Sequence, residues 1–167
     1  TDNLNAYNTE YEYAFVPVME DVEGNYIIES ILSKFEGVFV CDVDTVFKFH
    51  AGIEYNNNTS NQQVGVFQPY NRKYPVVVSN SIMNYQTGSI GGWVLPNDFD
   101  DNRQLNRVDI TKEKEALLKF LLNKKPKIIK DMNGNSWLVY FTGNPTLSYD
   151  NNYGQGMVKV SAEWTEV

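Results

Sequence analysis

Apolar and polar positions alternate through most of this chain, and one stretch breaks the alternation for a clear helical period. Between Thr111 and Asn123, the residues Leu117, Leu118, Phe120, Leu121 and Leu122 gather on one side of an α-helix, a broad apolar face suited to covering a sheet. Thr111 is the expected N-cap, Glu113 and Glu115 fall in the first turn, and lysines follow toward the end, as the helix dipole prefers. Pro126 stops the helix. Lys127 to Lys130 and Ser136 to Thr142 then pair across an Asn133-Gly134 turn. The last segment alternates cleanly. Val158, Val160, Ala162 and Trp164 point one way, and Lys159, Ser161, Glu163 and Thr165 the other, so one face enters a core while the other meets water or a partner.

Upstream, the same reading gives shorter elements. Residues 1–9 are polar and Asn-rich and read as a loosely held arm. Tyr11 to Val18 alternates as a strand, and Pro17 places it at a sheet edge. Glu20 to Asn25 is acidic and ends in the turn signal Gly24-Asn25. Tyr26 to Phe35 fits a short helix through Ile27, Ile28, Ile31 and Leu32, or a strand. Val38 to Ile53 reads as a long strand or a hairpin, with Val38, Val40, Asp42 and Asp44 on one side and Phe39, Cys41 and Val43 on the other. Asn56 to Gln63 is a polar loop, and its two glycosylation sequons (at Asn57 and Asn58) read as chance. A second β-rich block follows at Val64 to Phe67, Tyr74 to Val78 and Gln86 to Leu95. Gly88, Gly91 and Gly92 within it signal a bulge, a bend or close backbone approach. Pro96 to Arg107 reads as an acidic, polar loop.

Composition agrees with this pattern. Aromatic residues make up 14% of the chain, eleven of them tyrosines, and aromatic side chains pack well on pleated sheets. The expected fold is therefore mainly β, with one packed helix at about 111–123. A chain of 167 residues that is 42% hydrophobic can bury one real core, so a single domain over 1–167 is expected. No apolar run approaches the roughly 20 residues needed to span a bilayer as a helix, and no signal segment opens the chain. Its first residue is Thr, which fits a processed product or a piece of a longer chain.

Charge is unevenly placed. Residues 1–83 hold 11 acids and 4 bases, whereas residues 84–167 hold 10 of each, which gives the whole chain its net −7. Seven lysines fall between Lys112 and Lys130. A nucleic-acid binder usually carries a net basic domain, so specific nucleic-acid binding is not expected. The asymmetry suits an acidic half that faces the basic stretch of a neighbouring copy, or else an ordinary solvated surface.

Candidate chemistry is sparse. His50, the one histidine, sits in Phe49-His50-Ala51-Gly52 without a nucleophile motif beside it, and there is no phosphate-binding glycine loop or metal-type spacing. Cys41, the one cysteine, reads as a buried thiol in a strand rather than a nucleophile. Asp98-Phe99-Asp100-Asp101-Asn102 starts like a calcium loop, but Arg103 stands where glycine is needed and Asp109 where glutamate is, so a polar loop is expected. Asp42 and Asp44, two apart on a strand, would share a face and could form a carboxylate pair for glycoside hydrolysis. Tyr85, Trp93, Trp137, Tyr149 and Tyr153 are candidates for stacking on sugar rings. Neither set makes a catalytic constellation. No cofactor and no metal are implied.

Several stretches resemble tail-tip and baseplate proteins of phages, or of phage-derived particles, from Gram-positive bacteria. They are Arg72-Lys73-Tyr74-Pro75-Val76-Val77-Val78-Ser79-Asn80, Asn84-Tyr85-Gln86-Thr87-Gly88-Ser89, and Phe120-Leu121-Leu122-Asn123-Lys124-Lys125-Pro126-Lys127-Ile128. Trp137-Leu138-Val139 and the closing Trp164-Thr165-Glu166 complete the likeness, which covers roughly the last hundred residues. It implies a tail-tube-like β-barrel or sandwich with a flanking helix, of the distal-tail type, whose copies join in a ring, with 71–167 as the tube-like core and 1–70 as an additional β-region. The implied protein is a non-enzymatic structural subunit of a virion tail or phage-tail-like particle, assembled in the host cytoplasm with other tail or baseplate proteins. On this reading Lys112, Lys119, Lys124, Lys125, Lys127 and Lys130 are the expected contact surface between copies. The alternative, from the exposed aromatics, is a β-rich carbohydrate-binding module for cell-surface glycans.

Overall fold

The computed structural model describes residues 2–55, 58–96, 98–150 and 156–167, with the side chains of all of these except 80–83. In chain order the first strands are β1 (Glu10–Phe15), β2 (Val18–Met19), β3 (Val22–Glu23), β4 (Ile27–Leu32), β5 (Val38–Cys41), β6 (Val46–Phe49), β7 (Thr59–Phe67) and β8 (Val76–Trp93). Helices α1 (Phe99–Asn102) and α2 (Arg107–Leu121) follow, and then β9 (Lys127–Asp131), β10 (Ser136–Phe141), β11 (Thr146–Asp150) and β12 (Met157–Glu166). Strands account for 48% of the structure and helices for 12%, so the chain is mainly β, as its pattern implies. The expected barrel closure is absent. In the large sheet the end strands β6 and β7 are each paired on one side only, so the sheet stays open.

The chain divides into two compact units, Thr1–Lys48 with Ile128–Trp137 and Phe49–Lys127 with Leu138–Val167. In the first, β1 and β4 pair antiparallel from Glu10↔Leu32 to Phe15↔Ile27, and β2 and β3 continue the ribbon to a turn at Glu20 and Asp21. Residues 10–32 thus form one long hairpin arm. Tyr26 to Phe35 resolves as a strand rather than a helix, because its partner β1 fixes an extended register across all six residues of β4. Strand β5 pairs with β9 from Val38↔Asp131 to Cys41↔Ile128, and Val38, Val40, Cys41 and Ile129 are buried there. The turn between β5 and β6 is held by Asp42, whose Oδ1 accepts from the N–H groups of Asp44 at 3.1 Å and Thr45 at 2.9 Å. Asn133-Gly134 does turn the chain between β9 and β10, with Gly134 at φ 89, but within a longer loop that the buried Asp131 organises. Its carboxylate accepts the N–H groups of Asn133 and Asn135, both at 2.9 Å.

In the second unit β10, β12, β8 and β7 lie side by side in that order, and β11 also pairs with β12. The alternation of β12 has the expected consequence: Val158, Val160, Ala162 and Trp164 are all buried and their neighbours are not. Gly88 in β8 faces Trp164 across the ladder, and a Cβ there would stand 2.8 Å from the indole ring, so this glycine marks close approach. Helix α2 packs against β12 through a stripe of Ile110, Leu117, Phe120 and Leu121. It starts earlier than its apolar face implies. Asn106, extended at φ −117, is the N-cap and accepts from the Val108 N–H at 3.0 Å, while Thr111 lies inside the helix and donates its hydroxyl to the Arg107 carbonyl. Leu122 serves as the C-cap and is exposed rather than part of the stripe.

Two further expectations change here. The strands expected at 74–78 and 86–95 merge into the single long strand β8 (Val76–Trp93), and Thr59 to Gln63 of the polar run expected as a loop are strand. The cause is cross-strand pairing: Thr59 to Gln62 run opposite Asn84 to Thr87, and after a register shift Val64 to Phe67 run opposite Val76 to Ser79. Residues 59–87 therefore make a second long hairpin arm.

Candidate functional site

The lysines expected to form one contact surface are divided by the fold. Lys112, Lys119, Lys124 and Lys125 are exposed in the second unit. Lys112 lies 3.6 Å from Asp109 one helical turn away, a surface pair of little energetic weight. Lys127 is buried: its Nζ donates to Asn123 Oδ1 at 2.9 Å and stands over the Phe120 ring at 4.4 Å. Lys130 is buried too, so neither can offer its charge to a neighbour, which corrects those two members of the set. Lys127 and Lys130 lie three apart and so on opposite faces of β9, and four of its five residues are buried, a covering of both faces that charge alone does not show.

Lys130 serves the first unit internally. Its ammonium donates to the carbonyls of Asn3 and Asn5, both at 2.9 Å, and to Asn5 Oδ1 at 2.8 Å, and sits 5.0 Å from the Phe35 ring centroid. Burial lowers its pKa, with Cys41 and Asp2 working the other way. The segment expected to be a loose arm is thereby clipped down. Cys41 Sγ also donates to the Asn3 carbonyl at 3.1 Å, and Asp2 accepts from the Tyr13 hydroxyl at 2.8 Å. A cavity of about 350 Å³ lies beside this clip, lined in part by Asp2, Asn5, Phe35, Phe39 and Lys130. The ammonium already faces three oxygens, so it is poorly placed to take an anionic ligand.

The candidate catalytic groups are not brought together. His50 Nδ1 lies 3.0 Å from Asp100 Oδ1, with Phe99 against its ring, and Cys41 lies in the other unit. Burial raises the Cys41 pKa, which keeps it a thiol. Asp42 and Asp44 lie in a turn rather than along a strand face, so the shared-face premise of the hydrolase reading is lost. In the acidic segment, Asp98 accepts from Asn102 Nδ2 and Arg103 adopts the left-handed conformation that the calcium loop gives to glycine. Among the described residues no group of three His, Cys, Asp or Glu side chains is placed to hold a metal.

The sugar-stacking candidates fare similarly. Trp137 is buried, Tyr85 and Trp93 are half-buried, and Trp93 lies against Gly52. Tyr149 is exposed, with Lys114 Nζ 5.9 Å from its ring. Tyr153 lies outside the described residues, as does the first sequon asparagine, Asn57.

The most exposed apolar surface belongs to the two hairpin arms, which the sequence did not single out. On the first, Phe15, Ile27 and Ile31 occupy one face of the ribbon and Ile28 and Leu32 the other, because directly paired residues share a face. Its tip carries Val18, Val22 and Met19, the last 78% exposed. On the second, Val64, Val66 and Val77 share one face, and Phe67 and Val78 take the other. All of these are exposed. The arms differ in charge. Residues 10–32 carry Glu10, Glu12, Glu20, Asp21, Glu23 and Glu29, all exposed, and no base. The second arm carries only Arg72 and Lys73, and no acid occurs from residue 55 to residue 97. A segregation of acids from bases over two alternating segments was the available signal, hidden because the charges were counted by chain halves. No protein-family model matches the chain, and no curated protein matches it at a significant level.

Proposed function

We propose that the chain is a non-enzymatic structural subunit of a phage tail tip or baseplate, or of a phage-tail-like particle, which assembles with copies of itself into a ring alongside other tail proteins. The observation that carries the assembly reading is the pair of hairpin arms with exposed apolar residues on both faces. A two-stranded ribbon is marginal in water on its own and becomes stable when a further layer covers it. Apolar patches of this kind on a single chain mark interaction sites. Burying each such side chain is worth about 1–2 kcal/mol when half or more of it is exposed. Eight exposed apolar residues on the first arm then supply about 8–16 kcal/mol gross, comparable to the 4–15 kcal/mol that association costs. One arm would barely hold a contact; two arms in each contact would hold it.

The tail-tip assignment itself rests on the resemblance of the last hundred residues. Particle location, in a virion tail assembled in the bacterial cytoplasm, is part of the same proposal. The glycan-binding alternative draws no comparable support, because its aromatics are mostly buried or half-buried. Negative-stain images of the purified chain test the proposal: rings support it, and isolated monomers at high concentration count against it. A glycan array lost on Trp93→Ala in a folded protein would favour the alternative.

A further inference from the structure

We infer that the basic hairpin arm (residues 59–87) of one copy docks along the acidic hairpin arm (residues 10–32) of the next, making a head-to-tail contact between copies of this chain. The inference rests on the self-assembly reading above and names its surfaces. Charge is the first support. Six exposed acids with no base stand on one arm, and Arg72 and Lys73 with no acid stand at the tip of the other. An acidic arm against a second acidic arm would place like charges together, so the contact that suits both arms is heterologous.

The edge of the sheet is the second support. Strand β7 ends its sheet, and its nine residues (Thr-Ser-Asn-Gln-Gln-Val-Gly-Val-Phe) hold neither a charge nor a proline. Edge strands are usually guarded by such residues, because an open row of N–H and C=O groups recruits another strand. The opposite end strand of the large sheet, β6, is short and carries Lys48, so it is guarded. Of these two end strands, the unguarded one therefore lies on the basic arm. Apolar area is the third support. Val64, Val66 and Val77 share one face of one arm, and Phe15, Ile27 and Ile31 share one face of the other; all are exposed and can cover one another. A contact of this kind repeats from copy to copy and gives a ring where its rotation closes, or a filament where it does not.

Complementary charge variants test the contact. Arg72→Glu with Lys73→Glu spoils the basic arm and leaves the acidic one intact; Glu12→Lys, Glu23→Lys and Glu29→Lys together do the reverse. Every substituted side chain is exposed, and circular dichroism checks that each variant folds as the wild type does. Sedimentation velocity should find each variant alone monomeric, with an apparent dissociation constant raised at least about a hundredfold: in the first, two new acids face the acidic arm, and in the second the acidic arm, with three acids and three new lysines, no longer attracts Arg72 and Lys73. An equimolar mixture should assemble where neither variant alone does, because the sound acidic arm of one meets the sound basic arm of the other. Either variant assembling as the wild type does, or a mixture that stays monomeric, overturns the arm-to-arm contact. A wild-type chain that never assembles overturns the self-assembly reading itself, so the two failures are told apart.

Discussion

Lys130→Met separates two roles for the most committed lysine in the chain. As a contact residue it would affect assembly and leave the fold alone. As a clip it should do the opposite. Lys130 is 4% exposed, and its ammonium holds three oxygens of the first residues, at 2.8 to 2.9 Å. Hydrogen bonds from a charged donor contribute about 1.5–3 kcal/mol each, but methionine also removes the cost of burying the charge, and lifting the arm returns the carbonyls to water. The net loss should be about 2–3 kcal/mol in urea unfolding, or about 4–12 °C in Tm for a chain this long. Hydrogen exchange locates it. The amides of Ala6, bonded to the Tyr11 hydroxyl, and of Asn8, bonded to the Ser33 carbonyl, should lose protection first. There is a pH signature as well. Burial lowers the Lys130 pKa below its ordinary 10.5, so between the lowered value and 10.5 the unfolded chain binds more protons. Stability should rise with pH through that window and fall as pH drops through the folded pKa, and the methionine variant should lose this slope. A stability change under about 0.5 kcal/mol, the range of an ordinary surface substitution, would refute the clip.

Three other outcomes follow from the same structure. Gly88→Ala places a Cβ 2.8 Å from the Trp164 ring and should cost about 1–3 kcal/mol by thermal melting, with a shifted near-ultraviolet tryptophan signal. Asp131→Ala strips the buried acceptor from the Asn133 and Asn135 N–H groups and should cost about 2–4 kcal/mol in urea, with Asp131→Asn costing less. The Asp2 carboxyl is held below its ordinary 3.8 by the Leu4 N–H and the Tyr13 hydroxyl. The tie is fully present above 3.8 and is lost as pH falls through the lowered pKa, so proteolysis near the start of the chain should rise in acid and depend less on pH in Tyr13→Phe.

The second half of the chain was legible where one face of an element is buried. On β12 the period of two maps directly onto Val158, Val160, Ala162 and Trp164, and on α2 the apolar stripe marks the buried side. Helix ends were less so, because Asn106 and Thr111 are both good caps and only geometry chooses between them. The arms were hardest to read. Ile27, Ile28, Ile31 and Leu32 fit a helix by spacing, yet none is buried in the chain, so no single core face exists for the pattern to report. Polar Thr59 to Gln62 become strand through partners some 25 residues away in β8, which local composition does not register. Lys127 and Lys130 failed as surface candidates for a related reason. Their ammonium groups are satisfied by Asn123 and by the Asn3 and Asn5 oxygens, and those pairings arise only in the folded chain. Closure into a barrel was an inference from resemblance, and β6 and β7 remain end strands.

Assembly through the two apolar, oppositely charged arms is the central claim, and the mass of the chain in solution tests it most directly. Sedimentation velocity should show the wild type passing from monomer to one discrete larger species as concentration rises, with Val66→Asp holding the chain at the monomer. A wild-type protein that stays monomeric at every concentration, with both arms still folded, would contradict it.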